Sequence, residues 1–386
     1  MTGLLVRQWR STVAVGFAAF LSCVVAPRHA SAQAPPAPST PNTAAAPAPA
    51  PSIELGGLVD AYYDFYSTKP SGDAQFRNFD TRHNQFALSM AEIWLAKTPT
   101  ADSRTGFKVR LNFGPASSNF IHSTEPAGSA LQNIEEAYVS YLAPAGKGVQ
   151  FDAGIFVTPA GAEVIEAKDN YNYSRGLLFT LAIPYYHSGV RVTYSPNDKV
   201  TLMGGVVNGW NNVGENNSGK TAMGSLTLKP TGAVTLVENY IGGPEPLQGG
   251  SDSNWRNLSD TVLTYTASPT VSLMANYDYG RESHGSTSTH WQGIAGYLKV
   301  QANKYVAFSP RFEYYDDASG QTTGRVQKLK DLTATLELKA ADNFLWRIEY
   351  RDDFSDQALF LNGNTLQKTQ QSISFGVLYS FTSKVQ

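Results

Sequence analysis

The last apolar segment of the chain alternates in character along its whole length. Residues 373–381 read ISFGVLYSF, with apolar or aromatic residues at every second position and, except for Leu378, small residues between them. Because successive side chains of a β-strand point to opposite faces, this segment predicts a strand with one apolar and one mostly polar face. A soluble protein would bury the apolar face. A transmembrane β-barrel turns it toward lipid and keeps polar residues in a wet interior.

The same alternation recurs upstream, with charges at the alternate positions. Residues 107–113, 332–339 and 344–351 show it most clearly. Alternation alone also suits a soluble β-sandwich, whose outer faces are polar. The length and number of the segments, together with a secretion signal, favour the barrel. Residues 87–97 and 234–240 interrupt the pattern, which indicates β-bulges or a different register there.

The connections between the predicted strands alternate between short and long. Seven tight connections are rich in the turn formers Pro, Gly, Asn and Asp, and eight longer ones lie between them, including 68–84, 159–184 and 281–289. This count predicts about 16 strands between residues 53 and 381, with both ends of the barrel on the short-turn side. Short periplasmic turns, long external loops and an even strand number are typical of outer-membrane barrels. The predicted fold class is therefore an all-β, transmembrane, antiparallel up-and-down barrel.

The N-terminus has the pattern of a targeting segment. Arg7 and Arg10 precede an apolar run of about 14 residues, too short to span a bilayer as a helix. A small-residue cleavage site ends at Ala32, so residues 1–32 are predicted to be a secretory signal peptide. Cys23, the one cysteine, lies within it, which leaves the mature chain without a disulfide or thiolate site. Residues 33–52, almost entirely Ala, Pro, Ser and Thr, predict a flexible linker, and residues 53–386 the barrel domain.

Charge and hydropathy exclude two classes of protein. The chain has 30 basic and 32 acidic residues, and the predicted cleavage removes three arginines, so the mature net charge is negative. A negative net charge does not suit a nucleic-acid-binding protein, which needs a basic surface. No later segment approaches 18 consecutive apolar residues, which excludes a helical membrane protein. A barrel of 16 strands is too wide for its own wall side chains to fill, so the sequence predicts an aqueous channel.

The longest predicted connection, residues 159–184, is the candidate constriction of that channel. If it folds inward, its carboxylates would face basic residues of the wall, and rings of charge at a constriction select ions by sign. An ordinary solvated external loop is the alternative, because length alone does not show direction. The candidate pore-lining or constriction residues are Lys108, Arg110, Glu163, Glu166, Asp169, Arg175, Arg191, Arg347, Glu349 and Arg351.

The sequence gives little support for a metal site or a catalytic site. Glu163, Glu166 and Asp169 could ligate calcium, but their spacing matches no EF-hand loop. The histidines, which include His122 and His187, show no zinc-ligand spacing and are expected to be solvated loop residues. Neither a nucleophile elbow nor a catalytic triad is recognisable. We therefore expect no catalytic residue, no metal site and no cofactor.

The chain resembles the OmpL-like β-barrel porins of Gram-negative bacteria from residue 53 to residue 381. The segments that carry the resemblance are GGLVDAYYDF (56–65), residues 151–194, VVNGWNN (206–212) and the ending FGVLYSF (375–381), of which the second is the most specific. The resemblance implies an outer-membrane barrel that acts as a pore, with no cofactor. Its expected partners are outer-membrane lipid and small hydrophilic solutes or ions, and a homotrimer stays open. A structural or adhesive barrel that acts through its external loops is the alternative function.

Overall fold

A computed structural model describes residues 53–245 and 253–385. These residues form a closed antiparallel barrel of 16 strands, which confirms the predicted fold class. The predicted signal peptide and linker lie outside the described residues. The barrel strands are β1 Ile53–Tyr66, β2 Gln85–Lys97, β3 Thr105–Phe113, β4 Ile134–Ala143, β5 Val149–Val157, β6 Tyr186–Asn197, β7 Val200–Val207, β8 Thr221–Thr231, β9 Val234–Pro244, β10 Trp255–Ser268, β11 Val271–His284, β12 Thr287–Asn303, β13 Val306–Asp317, β14 Gln327–Ala341, β15 Phe344–Ser355 and β18 Thr369–Val385.

The first and last strands close the barrel. β1 pairs with β18 along its whole length, from Ile53 opposite Val385 to Tyr66 opposite Ser372. Every other barrel strand pairs with its neighbours in chain order, and β15 pairs with β18. Closure satisfies the backbone N–H and C=O groups without leaving a sheet edge.

The two faces of the sheet have the character that the alternation predicts. On β15, Trp346 and Ile348 lie on the outer surface, 40% and 42% exposed, whereas Arg347 and Glu349 point inward and are buried. On β18 the aromatic Tyr379 faces outward. The outer surface of these strands is therefore apolar, and their charged side chains lie inside the barrel.

Most predicted connections are confirmed, and one is wrong. All seven tight turns join strands where they were expected. The predicted long connection 281–289 is instead a two-residue turn, because β11 and β12 remain paired as far as His284 and Thr287. Gly285 adopts a positive φ of 62° there, a conformation that glycine permits at little cost. The interrupted pattern of 87–97 does mark a bulge, since Asp60 and Ala61 pair with Met90 and Leu88 and skip Ser89.

The connections carry short elements of their own. They are α1 Leu177–Leu181, a π-helix Ala116–Ile121, 3-10 turns at Ala130–Asn133 and Ala167–Asp169, and a hairpin of β16 Phe360–Asn362 with β17 Thr365–Gln367. In residues 53–245 and 253–385, no helix is long and apolar enough to cross a membrane.

We expect a charge on the outer face to destabilise the barrel more than one in the lumen. Ile348→Arg places a guanidinium on the apolar surface of β15 and should lower the free energy of unfolding in lipid vesicles by about 2–4 kcal/mol. Thr227→Arg, on the inward face of β8, is the matched control and should cost less. Urea titration followed by the gel shift of the folded barrel measures both, and equal losses would contradict the assignment of faces.

Candidate functional site

The connection between β5 and β6, residues 158–185, lies inside the barrel, and we call it the inner loop. Its Glu163 forms a 2.8 Å ion pair with Arg311 of β13, and the hydroxyl of Tyr173 donates a 2.8 Å hydrogen bond to Asp60 of β1. In the closed sheet β13 lies eight strands from β5 in either direction. The inner loop therefore crosses the lumen to the opposite wall, so the alternative of an ordinary external loop is wrong.

Carboxylates of the far wall accept hydrogen bonds from the backbone of the inner loop. Glu349 accepts from the N–H of Tyr173 at 2.6 Å and from that of Ser174 at 3.0 Å. Glu313 accepts from Leu177 N at 2.5 Å and so caps the first turn of α1, whose first N–H groups have no partner within the helix. Both glutamates are fully buried. Because an unpaired buried N–H is costly, these contacts specify the inward path of the chain.

Guanidinium groups of β15 bind the carbonyls of the same segment. Arg347 donates to the carbonyl oxygens of Asn172 at 2.8 Å and Asn170 at 2.7 Å, and Arg351 donates to that of Arg175 at 2.6 Å. Arg347 and Arg351 have no measurable solvent exposure. These two predicted residues lie between loop and wall, where they anchor the loop backbone and do not contact its carboxylates.

The predicted residues of the loop itself take different positions. Arg175 is buried, donates to the carbonyl of Tyr173 at 2.9 Å and stacks on the ring of Phe79, with Cζ 4.1 Å from the ring centroid. Asp169 faces water, with its side chain 47% exposed, and pairs with the neighbouring Lys168 at 2.6 Å. Asp169 therefore forms its ion pair within the loop and not with a basic wall residue.

The three basic residues predicted on β3 and β6 line the near wall and keep partial contact with water. Their side-chain exposure ranges from 13% to 25%. Only one of them meets a carboxylate of the inner loop. Their shortest ion pairs are Lys108–Glu136, Arg110–Glu166 and Arg191–Asp152, the last at 2.9 Å.

The two sides of the lumen differ in their access to water. Inward-facing side chains of β13 and β15, such as Arg311 and Glu349, are buried because the inner loop covers them. On the near wall, the inward-facing Lys108 of β3, Arg191 of β6 and Thr227 of β8 are half-buried, although neighbours such as Asn112 and Glu135 are buried. The part of the lumen that the loop leaves to water thus lies beside these three half-buried residues, on the β3–β8 side.

A second external connection, residues 67–84, packs against the inner loop. Arg77 forms a 3.1 Å ion pair with Asp353 of β15, and Asn78 donates a 2.9 Å hydrogen bond to the hydroxyl of Tyr185. This connection therefore holds the inner loop from its external side.

Several anchoring residues were not predicted from the sequence. Arg311 and Glu313 on β13 hold Glu163 and α1, respectively. The strand pattern contained a signal for them, since Phe308 and Phe312 alternate with them and face outward.

The expectation of solvated histidines is wrong for two of them. His122 and His187 have no measurable exposure. His122 lies in the connection between β3 and β4, with its ring centroid 4.2 Å from that of Tyr186. Burial lowers the pKa of His122 to about 4, so its imidazole is neutral at physiological pH.

A closed 16-strand barrel with an apolar outer surface, a charged lumen and a loop folded across that lumen defines the porin class of outer-membrane channels. Residues 52–381 match the family described as "Putative beta-barrel porin-2, OmpL-like". The chain belongs to this family. It is a porin of the Gram-negative outer membrane that forms a channel for passive diffusion.

Solved structures share the fold at low sequence identity. OmpT of Vibrio cholerae, in a trimer form, has a TM-score of 0.59 and 12% identity, and the match covers 86% of this chain and 100% of that one. An anion-selective porin from Comamonas acidovorans has a TM-score of 0.61 and 10% identity, with 86% and 99% covered. The outer membrane channel DcaP of Acinetobacter baumannii has a TM-score of 0.56 and 11% identity, with 85% and 97% covered. No curated protein sequence matches the chain.

We expect removal of the Glu349 carboxylate to loosen the inner loop. Glu349→Leu leaves the N–H groups of Tyr173 and Ser174 without their acceptor, and should lower the free energy of unfolding by about 3 kcal/mol. Single-channel recordings should show a larger and noisier conductance. Glu215→Leu, in the external connection between β7 and β8, is the control and should behave as wild type. A Glu349→Leu channel with wild-type conductance and stability would contradict the anchoring role.

Proposed function

We propose that small ions and hydrophilic solutes cross the barrel through the space between the exposed edge of the inner loop and the wall of β3–β8. The observation that carries this route is the unequal exposure of the two sides of the lumen. On the loop, Val164 is 44% exposed and Asp169 also faces water, while Lys108 and Arg191 are half-buried on the wall. Solutes on this route meet both signs of charge, which sets selectivity by local electrostatics.

We propose that transport is passive and involves no catalysis. The family and the similar solved structures are described as porins and channels, which supports a role without chemistry. Diffusion along this route needs neither a cofactor nor an energy source. Of the predicted site residues, Lys108, Arg110, Asp169 and Arg191 are the ones we propose to line the route. Glu163, Arg175, Arg347, Glu349 and Arg351 set its width by fixing the loop.

Substituted cysteines test the route directly, because the one native cysteine, Cys23, lies in the predicted signal peptide. A small charged thiol reagent should modify Val164→Cys in an open channel and reduce single-channel conductance by more than half. Val326→Cys, 61% exposed in the connection between β13 and β14, should be modified without a change in conductance. If modification of Val164→Cys leaves the conductance unchanged, the proposed route is wrong.

We further propose that the barrel assembles as a homotrimer through the outer face of β7–β9. Glu238 of β9 points outward and accepts hydrogen bonds from the hydroxyls of Ser259 at 2.8 Å and Thr261 at 2.5 Å. Within residues 53–245 and 253–385, no basic side chain lies within ion-pair distance of it. A carboxylate on the lipid-facing surface is unfavourable, and a neighbouring copy would shield it from hydrocarbon.

A pair of glycines further supports this face, and a similar solved structure supports the trimeric state. Gly204 and Gly224 are paired across β7 and β8, and a Cβ at either would meet no atom closer than 3.8 Å, so both leave open space on the outer surface. Small residues let another backbone approach closely. OmpT of Vibrio cholerae, which has a similar fold, is described in a trimer form.

We expect Gly224→Trp to shift the oligomer toward monomer by blocking that approach. Gly296→Trp on β12 is the matched control, since that glycine also faces open space. Native gels and light scattering of the detergent-solubilised protein should show loss of the trimer for Gly224→Trp alone. A monomeric wild type, or a trimer that tolerates Gly224→Trp, would contradict this interface.

A further inference from the structure

Three buried carboxylates from separate segments converge at one end of the inner loop. Glu92 of β2, Glu135 of β4 and Glu166 of the inner loop each offer an oxygen, and these oxygens all lie within 4.8 Å of one another. Glu135 has no measurable exposure, and Glu92 and Glu166 are 6% and 7% exposed. Glu166 is the only contribution of the loop to this cluster, so the cluster joins the loop to the wall of β2–β4.

The nitrogen of a buried amide faces the same cluster, and the oxygen of that amide is unpaired. The Nδ2 group of Asn112 on β3 donates to Glu135 Oε2 at 2.7 Å and to Glu92 Oε1 at 3.2 Å. The Oδ1 atom of Asn112 has no hydrogen-bond donor, and neither has Glu92 Oε2, although both are fully buried. Buried oxygens of this kind are normally paired with a donor or a cation. Two buried oxygens at or beside the site therefore lack a hydrogen-bond donor.

The formal charge of the region is not balanced by its own basic residues. Arg110 lies 3.4 Å from Glu135 and 3.6 Å from Glu92 and also pairs with Glu166. Counting Glu136 and its partner Lys108, four carboxylates share two cations. The neighbouring Lys168–Asp169 pair adds no net charge. The cluster keeps a formal charge of two negative units, which one divalent cation would neutralise.

We propose that this cluster binds a divalent cation of the calcium type. Its ligands are carboxylate oxygens of Glu92, Glu135 and Glu166, and a turn of the Asn112 amide, whose nitrogen now faces Glu135, would add the unpaired Oδ1 atom. Calcium takes six to eight oxygen ligands, including carboxylates and amide carbonyls, in flexible geometry, and water from the lumen completes the shell. Magnesium fits less well, because it demands near-ideal octahedral geometry and retains most of its own water.

Arg110 moves aside when the cation binds. Its Nη1 atom occupies the centre of the cluster, whereas its Nε atom lies 3.5 Å from Glu136 Oε2. The guanidinium, which is partly exposed to the lumen, therefore keeps Glu136 as a partner after it leaves the other three carboxylates. Cation binding is expected to fix the Glu166 end of the inner loop and to remove negative charge from that wall. Only this effect on conduction rests on the diffusion route proposed above.

Terbium luminescence tests the binding. The ring centroid of Trp94 lies 5.2 Å from Cζ of Arg110, so Trp94 is placed to sensitise a bound Tb³⁺ ion. With refolded protein free of lipopolysaccharide, we expect sensitised emission that Ca²⁺ displaces and that Trp94→Phe abolishes. Glu92→Gln should weaken Tb³⁺ binding by more than about tenfold, as expected for loss of a metal ligand. Glu215→Gln, in the external connection between β7 and β8 and outside the cluster, should bind as wild type.

Absence of Tb³⁺ emission from the wild type, or equal affinities for Glu92→Gln and Glu215→Gln, would overturn the proposal. Heat-modifiable gel migration confirms that each variant is folded before it is compared. In planar bilayers, Ca²⁺ at constant ionic strength should shift the reversal potential of the wild type toward lower cation preference and leave that of Glu92→Gln unchanged. If Tb³⁺ binds as expected while thiol modification of Val164→Cys leaves conductance unchanged, the diffusion route fails and the cation site stands.

Discussion

Every backbone polar group within a bilayer must be paired by the protein, and the rest of this structure depends on that constraint. Strands can satisfy it only if the sheet has no free edge, and the pairing of β1 with β18 removes the edge. Closure then separates two solvents. Hydrocarbon contacts the outer aromatic and aliphatic side chains, and the charged side chains have only the lumen in which to be hydrated or paired. The period-two pattern of the sequence follows from this separation.

The lumen of this barrel is organised by charge. On the side of β13 and β15, buried arginines and glutamates bind the backbone of the inner loop, which would otherwise place unpaired N–H and C=O groups in a confined space. Breaking one member of such a buried network is costly, because the partner is left unpaired. The network therefore gives the loop one defined path. On the side of β3–β8, the basic residues Lys108, Arg110 and Arg191 are paired with carboxylates but still reach water, and the loop that fills the opposite side narrows the wide barrel.

The sequence predicts well those features that depend on residues close together in the chain. It predicts poorly those that depend on residues brought together from distant segments. Strand number, most turns and the faces of β15 and β18 depend on alternation and turn residues, which are local. The direction of the inner loop depends on partners such as Asp60 and Arg311, which are far away in the chain. The cluster of Glu92, Glu135 and Glu166 could not be found from ligand spacing, because its members come from three segments. The extended β11–β12 hairpin was missed because its residues 281–289 are polar and resemble a loop.

The family and the similar structures identify the class of channel. Its selectivity depends on the residues inside the barrel. At 10–12% identity the solved structures show that the fold is shared. The most direct test of the account is single-channel recording of the purified wild-type protein in a planar bilayer. A water-filled channel should give discrete, stable conductance steps with a roughly linear current–voltage relation. A folded, bilayer-inserted protein that gives no conductance steps would contradict it.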